Sequence, residues 1–402
     1  MSIFDKLGIR VAEKVKPKSV VPVNNIVAPI ISEGARLLIV GEAPGEHETM
    51  QGHPFAGASG YMMASIGCEA GLFYQKDRSE SMRQFWVRNK ITLTNVIWER
   101  PEDNNFNLLT CTKREFAAEV GCKQTEVQDK TLKIGGRYIK PKLTHYIDKL
   151  RDLIIQTNPN LILAVGGKAL TALCGLTSIK RSSGYTQVCT LVPGYKVLPV
   201  LHPAAVMRDY GNEPLFRMAL IKAAREVAFP EIVFDEVTVI VQPSFEEVLD
   251  FFKEVEDAHW PQVAADIETL PSIGLITDIS IALSDTYGIS IPFFKDHNPY
   301  WTLEQEVHIW LFIFRWLELS RSIIWHNGTS YDVQWMRDYC RRFNVRPYSP
   351  WDRNALEDTL QLHHAIHPEM GLALNTIGSY LLNRPQWKHL RARAKEKLKM
   401  DE

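Results

Sequence analysis

ARLLIVGEAPGEHETMQGHPFAGASG, residues 35–60, decides how the first half of this chain is read. Leu37–Val40 is a short continuous apolar run stopped by Gly41, the mark of a strand buried on both faces. Gly41, Pro44 and Gly45 then form a tight turn at the strand's carboxyl end, where α/β sheets bind ligands. The same unit recurs outward from this stretch. ITLTNVI (91–97), NLILAVGG (160–167) and YKVLPVLHP (195–203) are further strand runs. The segment 138–158 spaces Leu143, Ile147, Leu150 and Ile154 as a helix does, and KALTALCGL (168–176) and EPLFRMALIKAAREVAF (213–229) are helical too. Strands alternating with helices predict a three-layer α/β domain with a parallel sheet over 35–230. Residues 1–34 read as a tail or linker, and the polar stretch 102–140 as an insertion or long loop.

FPEIVFDEV (229–237) marks a boundary, and a different pattern fills 237–402. VTVIV (237–241) is a strand, SFEEVLDFFKEVEDA (244–258) a Ser-capped helix, and VAADIET (263–269) a strand. DISIALSD and GISIPFF alternate as an antiparallel meander. A Trp- and Phe-rich helix (304–319), the strand SIIWHN (322–327) and three helical segments, 331–343, 356–366 and 373–382, complete a mixed-sheet α/β pattern. The basic end, 387–402, reads as an exposed or frayed helix.

Of 402 residues, 45% are hydrophobic and 23% charged, which excludes collagen, coiled coil and a wholly disordered chain. Net charge is −1, yet residues 231–402 hold 16 basic and 26 acidic side chains. The remaining 30 basic and 21 acidic lie in the first 230. A basic half joined to an acidic half is more informative than the near-zero total, and the acidic balance of the second is consistent with metal binding. The six cysteines, at 68, 111, 122, 174, 189 and 340, form no CxxC pair, and reduced thiols of a cytoplasmic protein are expected. The N-terminus lacks the apolar core of a secretory signal. No apolar run reaches membrane-spanning length, since Leu161–Leu176 contains Lys168 and three glycines. GGKAL (166–170) lacks the spacing of a phosphate loop, which argues against a nucleotide-binding metabolic enzyme.

Alone, the GEAPG turn is an ordinary strand-to-helix connection. TNVIWERP (94–101) and LHPAAVMR (201–208), which also follow strand runs, bring three polar groups to the carboxyl ends of three strands. Together these motifs resemble the uracil-DNA glycosylase superfamily over 35 to about 228, especially the bacterial and archaeal family that usually carries an iron–sulfur cluster. The resemblance implies a pocket for a base flipped out of DNA. Phe55 would stack on the uracil face, Asn95 would read its O4/N3 edge, and His202 would donate to O2 as charge develops there. Gly41 would leave backbone N–H groups facing the base. Glu42 would position or activate the water, with Ala43 standing where other superfamily members carry the water-activating Asp. Two departures follow. The cluster's N-terminal CxxC is missing and Glu99 occupies the ligand position after the TNV strand, so no iron–sulfur cluster is expected. Ala204 replaces the usual Ser of the His-Pro motif. SIKRSSGYTQ (178–187) is either a phosphate contact or a solvated basic face.

In the second half, period two sets Asp266 and Glu268 of DIET on one face of a strand. HNGTSYD (326–332) supplies Asp332. These motifs resemble the DEDD-type 3′–5′ exonuclease domain of family A DNA polymerases, in its phage form, over 237–402. That implies a ribonuclease-H-like fold and two Mg²⁺ or Mn²⁺ ions, Asp266 bridging both, with Glu268 and Asp332 as ligands. The family's third motif, Tyr-x-x-x-Asp, is not met: Tyr380 is followed at that spacing by Arg384. Asp358 is the substitute ligand considered, and the domain reads as incomplete at its C-terminus. His363 and His367 read as helix-end or core residues. The expectation is a DNA repair or replication protein, a glycosylase-like hydrolase followed by a truncated or degenerate proofreading domain. It would be the N-terminal part of a phage-type polymerase, or serve a separate polymerase subunit, in the cytoplasm (the host's if viral). The alternative is a non-catalytic module that holds DNA or uracil.

Overall fold

The structure is a computed structural model. It describes residues 25–382 apart from 76, 78, 130, 131, 234, 235, 260, 296, 297 and 351–355. The expectations for residues 1–24 and for the basic end therefore lie outside the described residues.

The apolar runs pair as their continuity requires. Strands β1 (Leu37–Gly41), β2 (Ile91–Asn95), β3 (Leu161–Val165), β4 (Gln187–Val188) and β5 (Lys196–Val200) form one sheet in the order β2-β1-β3-β5-β4. β1 runs parallel to β2 and to β3, and every residue of β1, β2, β3 and β5 is buried. Helices α1 (Glu46–Gln51), α2 (Ala58–Glu69), α3 (Met82–Arg88), α4 (His145–Thr157), α5 (Gly167–Cys174), α6 (Pro203–Arg208) and α7 (Glu213–Glu226) connect the strands. The chain leaves β1 for a neighbour on each side, which opens a crevice at the strands' carboxyl ends. Register sets Gly41 opposite Asn95 there.

The second sheet is mixed. Its strands are β6 (Thr238–Val241), β7 (Gln262–Leu270), β8 (Leu275–Ala282), β9 (Tyr287–Pro292), β10 (Ser322–Trp325) and β11 (Leu356–Asp358), in the order β11-β10-β7-β8-β9-β6. β7, β8 and β9 are an antiparallel meander, β10 and β11 run parallel to β7's side, and β6 pairs in parallel with β9. Helices α8 (Phe245–Asp257), α9 (Leu303–Leu319), α10 (Asp332–Arg342), α11 (Thr359–Ile366) and α12 (Leu374–Leu381) accompany it. Period two sorts the faces: Val263, Ala265, Ile267, Ile279, Ile281, Ile289 and Ile291 enter one core with Phe251, Trp310 and Trp316. Asp266 lies on the other face and is exposed, with Glu268 half-buried beside it.

Two compact units result. The first holds residues up to 177 with 189–197 and 202–204; the second holds 178–188, 198–201 and the residues from 205 on.

Three segments differ from the sequence reading. Within the stretch read as a tail, Val27 and Ile30 are buried, and Ile30 exchanges backbone hydrogen bonds with Leu93 of β2. Two apolar residues without a period gave no pattern to detect. Within 102–140, read as a loop, lie a helix at Lys113–Val120 and three strands of two or three residues around Cys111, Phe116 and Tyr138. These elements are too short to show a period. Finally, Leu356–Asp358, read as helical, is a strand, because Asp358 caps the helix that follows it.

Candidate functional site

The motif residues of the first unit come together at the ends of β1, β2 and β3. A Cβ on Gly41 would stand 2.2 Å from Asn95 Oδ1 and 3.1 Å from Phe55 Cζ, so the bare glycine lets the amide and the ring meet over the strand end. Asn95 and Phe55 are buried; Glu42 and His202 are half-buried. Asn95 Nδ2 is buried without a hydrogen-bond partner, a donor left for a ligand. Phe55 takes a left-handed φ of 54°, strained for a bulky residue. The surroundings fix it from both sides. Its N–H donates to Glu48, its carbonyl accepts from Trp86 Nε1 at 3.4 Å, and Gly60 lies so close to that carbonyl that a Cβ would overlap it.

Gly166, with φ 90°, performs the matching service on the other side. A Cβ there would stand 2.6 Å from Glu42 Oε1 and 3.2 Å from His202 Cβ. Glu42 Oε1 accepts the N–H of Lys168 at 3.2 Å, in the first turn of α5, where the helix dipole favours a carboxylate. His202 Nδ1 accepts the N–H of Ala204 at 3.1 Å. In the neutral ring the proton then resides on Nε2, which makes His202 a donor at that atom. Gly166 was visible in the sequence only as one of a pair dismissed as a phosphate loop.

Glu48 is the residue that sequence reading missed. Its carboxylate caps α1 by accepting the N–H of Gly45 at 2.6 Å, and also accepts that of Phe55. Burial raises its pKa above 4.5, opposed by the Gly45 and Phe55 N–H groups and by the nearby Asn95 amide. The Asn95 amide is an electrostatic neighbour of this carboxylate. GEHE carries a capping-box signal, Glu three residues past Gly45, but nothing local announces the reach to Phe55. Glu48→Gln keeps one acceptor oxygen for two donors. It is expected to slow any chemistry at the pocket about tenfold and to lower Tm by a few degrees. The sign for pH runs as for any raised carboxyl: its stabilising contribution is complete below 4.5 and lost as pH rises through its folded pKa. Conversely, the acceptor role needs the ionised form. Activity should therefore decline on the acid side at a higher pH than an ordinary Glu would dictate, and that limb should be missing from Glu48→Gln. A limb unchanged in Glu48→Gln would remove Glu48 from the account.

Where the resemblance implies a cluster thiolate, Glu99 accepts from the Tyr146 hydroxyl at 3.2 Å. Burial and Glu99 push Tyr146 up to about 12, which keeps the phenol a donor. The Lys149 ammonium lies 4.7 Å from the Trp98 ring centroid and 5.2 Å from that of Tyr146. Trp98 Nε1 in turn donates to Thr94 Oγ1 at 3.1 Å, one residue before Asn95. This corner suits a carboxylate, a phenol and a cation rather than thiolate ligation. Among the described residues, no three His, Cys, Asp or Glu side chains gather to hold a metal ion.

That statement also covers the acidic residues of the second unit. Asp332 Oδ1 accepts the N–H of Ile267 at 3.2 Å, which seats it between Asp266 and Glu268 in the backbone sense. Burial pushes Asp332 up to about 6, with Asp266 and then Asp358 adding repulsion. Asp358 Oδ1 accepts from Asn327 and Leu360 N–H groups at 2.9 Å each, while Oδ2 is buried without a partner. The four carboxylates are hard-oxygen donors of the Mg²⁺ or Mn²⁺ type, and Asp266 and Asp358 both repel Asp332, yet no three of them close on one ion. His363 is buried against His367, with ring centroids 5.4 Å apart.

No helix among the described residues is long and apolar enough to cross a membrane. Residues 28–225 match the family model described as the Uracil DNA glycosylase superfamily. Over 207 residues the chain is 25% identical to the type-4 uracil-DNA glycosylase of Thermotoga maritima, covering 50% of this chain and 84% of that protein. Over 189 residues it is 27% identical to the type-4 uracil-DNA glycosylase of Archaeoglobus fulgidus, covering 46% of this chain and 72% of that protein. Residues 28–225 are thus a uracil-DNA glycosylase superfamily domain, distantly similar to the type-4 enzymes, joined to a second, mixed-sheet α/β domain.

Proposed function

We propose that the first domain, taken as 35–230, hydrolyses the N-glycosidic bond of uracil in DNA. The observation that carries this reading is the joint placement of Phe55, Asn95 and His202 about Gly41 and Gly166, with His202 held as an Nε2 donor. A flipped uracil would stack on the Phe55 ring. The Asn95 amide would both accept from N3–H and donate to O4, an edge that its unpartnered Nδ2 suits. His202 Nε2–H would donate to O2, where the departing base gathers negative charge. A neutral, fixed donor in a desolvated site stabilises that charge without reorganising. Glu42, held against the start of α5, would orient or activate the water that attacks C1′. The alternative is a module that grips the same base without releasing it. Binding and release measured on one uracil-containing single strand separate the two, because the module gives retention with no free base.

A second reading concerns residues 237–402, and the strand order favours it. Three antiparallel strands, with two more added in parallel beside the first of them and β6 at the far edge, support a ribonuclease-H-like reading of this sheet. We infer a degenerate proofreading-exonuclease domain, in which Asp266 and Glu268 within β7, Asp332 at the start of α10 and Asp358 at the end of β11 keep the places of the ligand set. It would serve a polymerase domain or subunit by holding DNA. With no three carboxylates closing on an ion, and with Asp358 Oδ1 committed to two N–H groups, two-metal hydrolysis lacks its clamp. Digestion of a 3′-labelled single strand in Mg²⁺ or Mn²⁺ is therefore expected at least ~10²-fold below that of an intact exonuclease, the effect of losing a few kcal/mol of transition-state stabilisation. Asp266→Ala should not change it further. Robust digestion abolished by Asp266→Ala would show that the site assembles after all.

A further inference from the structure

Lys222 of α7 is 3% exposed, and neither the pocket nor the acidic cluster uses it. A buried ammonium is costly unless all its N–H groups are met. Here three carbonyls meet it: Gly184 at 2.7 Å, Ser379 at 3.0 Å and Leu382 at 3.3 Å. Burial pulls Lys222 down to about 8, so near neutrality it still carries the third proton that three acceptors require. Two of the acceptors belong to α12 and its end, and the third to the turn after Ser178–Ser182. All lie in the second compact unit.

A second contact joins the same partners. Tyr380, 2% exposed, donates from its hydroxyl to Ser183 Oγ at 2.9 Å. Its ring lies over Gly184, whose φ is 78°. A Cβ there would stand 2.5 Å from Tyr380 Cδ1, so both the backbone and the ring demand glycine. Gly184 N–H also donates to the Pro199 carbonyl of β5 at 3.1 Å. The inner side of this turn, Ser182–Gly184, is buried, while Lys180 and Arg181 on its outer side are exposed. The tyrosine that fails to start a Tyr-x-x-x-Asp motif is thus employed in packing.

We propose that α12 is an internal strap, which fixes the turn at 178–184 so that Lys180 and Arg181 face nucleic-acid phosphate. The proposal takes DNA as the ligand from the preceding reading but does not depend on base excision. Phosphate contacts need cations held at fixed positions, since each immobilised side chain otherwise loses ordering entropy on binding.

The test measures binding of the full chain to a fluorescent single strand without uracil, at several salt concentrations. Lys180→Ala with Arg181→Ala should weaken binding at least tenfold and lower the salt slope by about 1.4, two contacts at ~0.7 each. Tyr380→Ala should weaken binding about tenfold, and Tyr380→Phe, which keeps the packing if Tyr380→Ala fails to fold, about threefold. Added to the Lys180/Arg181 double variant, either change should cost less than twofold more, because the strap acts through those cations. Wild-type affinity in Tyr380→Phe and Tyr380→Ala, or losses that simply multiply, would overturn the strap. So would wild-type affinity in the Lys180/Arg181 variant. If wild-type chain releases no uracil while this binding pattern holds, the glycosylase reading fails and the strap stands.

Discussion

Asn95→Ala and His202→Ala are each expected to slow single-turnover uracil excision by about 10² or more, with little change in Tm. Removing one fixed donor to a developing oxyanion costs about 2.7–4 kcal/mol in rate, and on the proposed reading His202 Nε2–H would be such a donor, set by the Ala204 N–H on its other nitrogen. Asn95→Ala removes both halves of the edge contact. Stability should change little because Asn95→Ala costs only the amide's electrostatic contact with Glu48, and His202 is only half-buried. Base release from a 5′-labelled single strand, read after alkaline cleavage, gives the rates, and thermal melting gives the control. Excision at wild-type rate in both variants would remove the pocket from the account.

Gly41→Ala is the second large effect. Its Cβ would fall 2.2 Å from Asn95 Oδ1, inside any tolerated contact, and 3.1 Å from Phe55 Cζ, a tight contact that the ring must also yield to. Relief cannot come from the backbone of Gly41, which pairs with Asn95 in the sheet and whose carbonyl accepts from Val96 N–H at 3.0 Å. The amide and the ring must therefore move apart. Overpacking of this kind costs ~1–3 kcal/mol of stability, and a displacement near 1 Å at a reacting centre can cost ~10² in rate. We expect a folded protein, Tm lowered by several degrees, with excision reduced ~10²-fold or more. Gly371→Ala is the control, since nothing lies within 4 Å of a Cβ at that position and its backbone is not left-handed. Near-normal excision by Gly41→Ala would mean that Asn95 and Phe55 do not act together over this glycine.

How far the sequence revealed these sites depended on whether the signal was local. Unbroken apolar runs announced β1 and β3, because a strand covered on both faces needs no polar alternation, while β2 and β5 carry Thr92, Thr94 and Lys196 within their β-rich runs. The meander β7–β9 announced itself by alternation. Gly41 and Asn95 were readable as motif members, but their contact is a matter of sheet register. Glu48 was not readable, since its role is to meet the Phe55 N–H in a left-handed turn. LEDTLQL (356–362) misled because strand and helix divide it at Asp358, whose Oδ1 serves the Leu360 N–H and so starts the helix. Strand alternation placed Asp266 and Glu268 side by side, yet it could not show that their face is open. The partner of Tyr380 is nearly two hundred residues away, beyond any spacing rule.

The most direct measurement is the release of free uracil from a single-stranded oligonucleotide bearing one uracil, with protein in excess so that binding and product release do not limit the rate. The account predicts base release by the wild-type chain in a single exponential phase, and release at least ~10²-fold slower with Asn95→Ala or His202→Ala. Tight binding of that strand by the wild-type chain, with the uracil still attached after prolonged incubation, would contradict it and leave the domain a base-holding module.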